Sequence, residues 1–152
     1  MINAFYEDVS ALAAELKENA AGKKTVFTNG CFDIIHPGHI YILSEASKHG
    51  DILIVGLNSD SSVKRLKGTG RPVMDQSARA QILSALEMVD FVIIFSEDTP
   101  IRLIEELKPD VLVKGSQYGE GEVVGEDLVP LTVRVPMKPG YSTSGILGKL
   151  QS

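Results

Sequence analysis

The run DILIVGLN, residues 51–58, constrains this chain more than any other stretch. It is apolar almost without a break and of strand length, so it lacks the alternation of a strand with one wet face. Such a strand needs cover on both faces, which a parallel sheet wrapped by helices supplies. The rest of the chain reads in the same way. Phe5, Val9, Leu12, Ala13 and Leu16 recur at helical spacing and predict a helix over residues 4–19, closed by Gly22. Further strands are predicted over residues 24–28, 91–95, 110–114 and 131–135, and helices over about 38–48, 78–88, 99–107 and 142–150. Short strands alternating with helices give an α/β expectation: an open parallel sheet of about five strands, doubly wound, with helices on both faces. With 152 residues, 43% of them hydrophobic, the chain suits one domain over 1–152, its first helix within 1–22 and its core over 24–152.

In sheets of this kind ligands bind at the carboxyl ends of the strands, where strand order reverses. The segments to inspect are therefore 29–38, 58–71, 96–100, 115–125 and 136–144. The first lies within TNGCFDIIHPGHIYILSEA, residues 28–46. Gly30 permits a sharp turn, Pro37 has the fixed φ of a helix start, and Gly38 keeps bulk away from the first helical turn. A helix opening there aims backbone N–H groups at the crevice and forms an anion site. His36 and His39, three residues apart, share one side of that turn and suit a phosphoryl group whose charge builds during transfer.

Plainer readings compete. A histidine at a helix start is often a cap or solvated, and a pair at this spacing is half of a zinc site. Zinc would need more ligands, while Cys31 is the only cysteine and His49, the remaining histidine, lies at the far end of the helix. Asp33 reads equally as a turn residue and Cys31 as packing. In KRLKG, Lys64, Arg65 and Lys67 either neutralise phosphates or form a solvated helix face. In GYSTSGIL, Ser142, Thr143 and Ser144 open a helix as caps and as phosphate donors, and capping alone explains one of them.

The net charge of -5, with no basic tract interleaved with aromatics, argues against nucleic acid and anionic membranes as partners. The acidic, amphipathic N-terminal stretch lacks the pattern of a signal peptide, and no apolar run reaches membrane-spanning length. A single cysteine forms no intrachain disulfide, so a cytoplasmic setting is expected. The first turn lacks GxGxxG, which argues against a dinucleotide-binding oxidoreductase.

GCFDIIHPGH resembles the first signature of the HxGH nucleotidylyltransferase superfamily, and GCFD in front of it resembles the cytidylyltransferase-like branch. NSDSSVKRLKG, RPV, SARAQILSALEMVDFVIIFSEDTP, PDVLVKG and GYSTSGIL follow in order, so the resemblance runs from residue 24 to the C-terminus. Within the branch the chain is most similar to the adenylyltransferases that make ADP-heptose from heptose 1-phosphate for the lipopolysaccharide core. The resemblance implies a Rossmann-like fold and an in-line attack by a sugar phosphate oxygen on the α-phosphorus of ATP. It assigns His36, His39 and Lys67 to catalysis. Gly30, Cys31, Phe32, Gly38, Lys114, Gly115, Ser142 and Thr143 join the histidines at the nucleotide, and Asp33, Lys64, Arg71 and Arg79 go to the acceptor or its phosphate. Arg79 has an alternative as an ion-pair partner of Asp75 or Glu87.

The resemblance also implies Mg2+ with the triphosphate, held by phosphate oxygens and water, with no protein ligand assigned. A homodimer is implied too, aided by the apolar face of the first helix unless that face covers the sheet. ATP over CTP rests on the resemblance alone. KGSQY stands where heptose enzymes tend to carry KGGDY, placing Gln117 where a carboxylate is expected, and residues 125–131 are shortened around Pro130. The acceptor therefore stays open among heptose 1-phosphate, which is favoured, glycerol 3-phosphate or another polyol phosphate, and flavin mononucleotide. A non-catalytic nucleotide-binding module is the remaining alternative, against which the intact HPGH and the hydroxyl cluster argue.

Overall fold

The computed structural model describes residues 5–116, 121–137 and 140–151, so Gln117 lies outside the described residues. In chain order the elements are α1 (Val9–Asn19), β1 (Thr25–Gly30), α2 (Pro37–Ser47), β2 (Ile52–Asn58), α3 (Asp60–Lys67), α4 (Gln76–Ser84), β3 (Phe91–Phe95), α5 (Ile101–Leu107), β4 (Val111–Gly115), β5 (Leu131–Val135) and α6 (Thr143–Gln151). The strands form one sheet ordered β3-β2-β1-β4-β5, and every neighbouring pair is parallel. This is the doubly wound α/β architecture that the strand runs predict.

Every residue of β2 is buried, as its unbroken apolar run requires. Its side chains alternate between two cores. Leu53, Val55 and Leu57 join Leu43 of α2 and Leu83 of α4 on one face. Ile52 and Ile54 join Leu12 and Leu16 of α1 and Leu103 and Ile104 of α5 on the other. Each such side chain removed from water contributes roughly 1.5–3 kcal/mol, which is what holds helices on both faces. The apolar face of α1 therefore covers the sheet. Among the described residues no helix is long and apolar enough to cross a membrane.

Two element boundaries differ instructively from the sequence reading. Helix α1 starts at Val9, because Asp8 accepts a hydrogen bond from Ser10 N–H at 2.9 Å and caps it. The chain before it runs extended along β3: Tyr6 donates to the Val92 carbonyl and accepts from Ile94 N–H, both at 2.8 Å. These bonds cover part of an edge whose N–H and C=O groups lack a neighbouring strand. Helix α3, in turn, lies inside the 58–71 segment, for which the sequence predicts no helix beyond a solvated face at Lys64, Arg65 and Lys67, and Ser59 accepts from Ser62 N–H at its start.

Strand order reverses between β1 and β4, and there the pairing is short. β1 pairs with β2 from Thr25–Ile52 to Gly30–Leu57, but with β4 only at Val26–Val111 and Phe27–Leu112. Past Phe27 the two central strands part, and the crevice so formed is where a ligand site is expected.

Candidate active site

A cleft of about 590 Å³ opens at this reversal, within the usual size of small-molecule sites. Gly30, Cys31, Phe32, Asp33, His36, Gly38 and His39 line it from the β1–α2 segment. Lys67 and Arg71 line it from α3 and the turn beyond, and Lys114, Gly115, Ser142 and Thr143 from β4 and α6. Lys64 and Arg79 do not line it.

The β1–α2 segment owes its shape to a tightly packed aromatic. Phe32 has φ of 46°, a left-handed conformation uncommon for a side chain of this size. Its ring is buried, 5.2 Å from the His39 ring centre to centre. The two histidines then form a reciprocal cap on α2. His36 Nδ1 accepts from Gly38 N–H at 3.1 Å, and His39 Nδ1 accepts from His36 N–H at 3.3 Å. Their rings stack 3.8 Å apart and 25° from parallel. Gly38 is needed for this geometry, since a Cβ there would sit 2.9 Å from His36 Cε1.

Both imidazoles are held neutral. Burial lowers His36, and burial followed by the nearby His36 pushes His39 down to about 4, with the Ile34 carbonyl opposing. A neutral imidazole that accepts at Nδ1 carries its proton on Nε2, so the cap fixes the tautomer in which Nε2–H is the donor. The sequence reading had helix amides meeting the ligand here. Instead those amides are occupied: Gly38 N–H by the His36 ring, and His39 and Ile40 N–H by the His36 carbonyl at 2.9 and 3.2 Å. The first turn therefore offers ring donors in place of its amides.

Asp33 acts as a latch. Its side chain is 1% exposed and accepts from Arg71 Nε at 2.9 Å, from Val73 N–H at 2.8 Å and from Met74 N–H at 2.9 Å. Burial raises this carboxyl, but the Met74 and Val73 amides and the Arg71 guanidinium together outweigh it and hold it below the usual range. The carboxylate thus ties the 71–74 segment to the β1–α2 segment and orients Arg71 at the cleft.

Lys114 stands where the β1–β4 ladder ends. Its ammonium donates to the Asn29 carbonyl at 3.0 Å and approaches Asn29 Oδ1 at 3.5 Å. Burial pushes it down to about 8, with Cys31 opposing. Burial likewise raises the Cys31 thiol, which Lys67, Arg79 and Arg71 oppose, so a thiolate is disfavoured. At the far wall Ser142 Oγ accepts from Gly145 N–H at 2.9 Å and caps α6, leaving its own hydroxyl proton able to donate.

The expectation for Arg79 is corrected, and Lys64 lies outside the cleft lining. Arg79 has no solvent exposure and bonds the Met74, Cys31 and Asn58 carbonyls and the Asp60 carboxylate. It pairs with neither Asp75 nor Glu87, and, being fully buried, it does not line the cleft. Lys64 projects from the solvated side of α3. Its neighbour Arg65 bonds Asp98 at 2.9 Å and the Ser96 carbonyl. Tyr141 and Asp98 are cleft neighbours that the motifs did not single out. Tyr141 stands nearly parallel to His36, 17° apart with centres 6.5 Å away, and its only sequence signal was its place in GYSTSGIL.

Among the described residues no group of three or more His, Cys, Asp or Glu side chains could hold a metal ion. Asp33, the buried carboxylate of the cleft, is already filled by its own donors. The described residues therefore form no protein cage for Mg2+.

The family model for cytidylyltransferase-like proteins matches residues 27–144. The chain is 52% identical over 147 residues to the bifunctional protein HldE of Campylobacter fetus, covering 97% of this chain and 32% of that protein. It is 54% identical over 129 residues to the HldE of Helicobacter pylori, covering 85% and 28%. It thus spans about a third of the length of these curated relatives. Among solved structures, the lipopolysaccharide core biosynthesis protein of Thermoplasma volcanium superposes with a TM-score of 0.67 at 30% identity, covering 77% of this chain and 99% of that one.

Proposed function

Because the chain belongs to the cytidylyltransferase-like family, we propose that its cleft moves AMP from ATP to a sugar 1-phosphate, with heptose 1-phosphate the favoured acceptor. The observation that carries this reading is the convergence on one cleft of two neutral imidazoles, the cations of Lys67, Arg71 and Lys114, and the hydroxyls that open α6. The reaction asks for little covalent work from the protein. A phosphate oxygen of the acceptor attacks the α-phosphorus in line, the bond to the bridging oxygen breaks, and pyrophosphate leaves with that electron pair. The ADP-sugar forms in one displacement, with no enzyme-bound intermediate.

Each group has a task in that scheme. His36 and His39 donate ring N–H hydrogen bonds to triphosphate oxygens, and being neutral they do so without a proton changing hands. Lys67 meets the charge that grows on the β- and γ-phosphates, while Arg71, steadied by Asp33, meets the incoming phosphate. Lys114 and the Ser142 and Thr143 hydroxyls hold the nucleotide from the opposite wall, with the N-terminus of α6 behind them. Together these groups supply position and preorganised charge. Mg2+ arrives as part of the substrate, Mg·ATP, held by phosphate oxygens and water.

Adenine, and heptose as the sugar, are supported by the motif order and by the identity to HldE proteins, together with the core biosynthesis role in the description of the Thermoplasma protein. A cytoplasmic setting and a homodimer belong to the same proposal. For the dimer α1 offers no support, because its apolar face is spent on the sheet; sedimentation tests it.

The test is pyrophosphate release from ATP and from CTP, with Mg2+, across heptose 1-phosphate, glycerol 3-phosphate and flavin mononucleotide. Release with ATP and heptose 1-phosphate, and a product of ADP-heptose mass, is the expected result. Release confined to CTP or to another acceptor refutes this substrate pair, and release with none refutes nucleotidyl transfer to these acceptors.

A further inference from the structure

Arg79 is the largest described side chain wholly without solvent exposure. A guanidinium taken fully out of water is unfavourable unless its donors are filled and its charge is met. Four of its five N–H groups are used. Nε donates to the Met74 carbonyl at 2.9 Å, and Nη1 to the Cys31 and Asn58 carbonyls at 2.6 and 2.8 Å. Nη2 donates to Asp60 Oδ1 at 2.8 Å. An apolar side chain would fill the same volume without desolvating a charge, so what the guanidinium adds is geometry.

The acceptors lie on three separate segments that border the cleft. Cys31 belongs to the β1–α2 segment that carries Phe32, Asp33 and the histidine cap. Asn58 and Asp60 stand at the β2–α3 junction, and α3 ends in Lys67. Met74 lies three residues beyond Arg71, and its N–H binds Asp33. One planar fork therefore fixes the mutual placement of the histidine segment and the two cation-bearing segments. We propose that Arg79 is a positioning residue for nucleotidyl transfer: a buried clasp that holds Lys67 and Arg71 in register with His36 and His39 while touching neither substrate. A lysine cannot do this, because a single ammonium on a flexible stem has no planar fork to span four acceptors.

For its catalytic readout the inference rests on the proposed adenylyl transfer; for its structural readout it does not. Arg79→Lys is compared with the unaltered protein in amide hydrogen exchange, ATP binding by calorimetry, and pyrophosphate release. Exchange is expected to accelerate in 29–33 and 71–75 and to stay unchanged in α6. KM for ATP should move less than about threefold while kcat falls about 30-fold, as a misplaced group acting in the transition state requires. In a Lys67→Ala background the same substitution should cost no more than about threefold, because residues acting as a unit are not additive. A full loss in both backgrounds, or unchanged exchange with a large rise in KM, overturns the clasp.

If Arg79→Lys fails to fold, Asp60→Asn carries the test, since that side chain is 41% exposed and the three carbonyl bonds remain. It should give the same exchange pattern with about a three- to tenfold loss of kcat; native exchange and native kcat overturn the proposal. An unaltered protein silent with every acceptor refutes the adenylyl-transfer reading alone, because the exchange comparison still decides the clasp.

Discussion

At the scale of single residues, the histidine pair can close its reciprocal cap because it is kept uncharged. Two imidazolium rings 3.8 Å apart would repel each other, and the cap needs a lone pair on each Nδ1. This has a consequence for stability. His39 titrates at about 4 in the folded chain against about 6.5 when unfolded, so between those values the native state holds fewer protons. Stability should therefore rise with pH across that window, level off above it, and be lost as pH falls toward 4. Thermal melting from pH 4 to 7 is expected to show this slope, and His39→Asn to flatten it; an equal slope in the variant would mean that His39 is not held neutral. These histidines were legible in the sequence because a cap is local, with its partners two and three residues apart. Arg79 and Asp33 could be singled out by resemblance, but their partners were not legible. Asp33 finds its amides 40 and 41 residues away and Arg79 finds the Cys31 carbonyl 48 residues away, with no local pattern to mark either.

At the scale of elements, β2 and β3 could be read closely from their apolar runs, while α3 could not. Asp60–Lys67 buries only Ser62 and Val63, so it carries too little apolar periodicity to declare a helix, and it forms because Ser59 caps it. The N-terminal stretch misleads in the opposite sense: Phe5 falls on helical spacing, yet Asp8 delays the helix and the edge of β3 takes the preceding residues. Helix α2 is where an element meets the proposed site. Gly38→Ala places a methyl 2.9 Å from the His36 ring, which must tilt and release the Gly38 amide. The expected result is a ten- to 100-fold loss of kcat/KM, as misplacement of a reacting-site group produces, with a stability loss of about 1 kcal/mol, the worth of a helix cap. Unchanged activity would show that the cap does not set the ring position.

At the scale of the whole molecule, strand order is the property that no segment of sequence displays. The carboxyl-end rule picked segments whose described residues contribute to the cleft lining, but only the three-dimensional order β3-β2-β1-β4-β5 places the opening between β1 and β4, where pairing stops after two positions. Lys114 enters that gap, and the β1–α2 segment beside it is joined to the rest by the Asp33 and Arg79 side-chain latches. Asp33→Asn removes one of them by taking the charge from a buried ion pair, and a loss of roughly 3–5 kcal/mol in urea denaturation is expected. A loss below about 1 kcal/mol would place the pair among weak surface contacts instead. The measurement that bears most directly on the account is pyrophosphate release from ATP and heptose 1-phosphate by the unaltered protein and by His36→Asn with His39→Asn, with melting followed in parallel. Release by the unaltered protein is expected, with a fall of about 10²–10³ in kcat for the folded double variant, the scale of a lost transition-state donor. Equal turnover by the two proteins would contradict it.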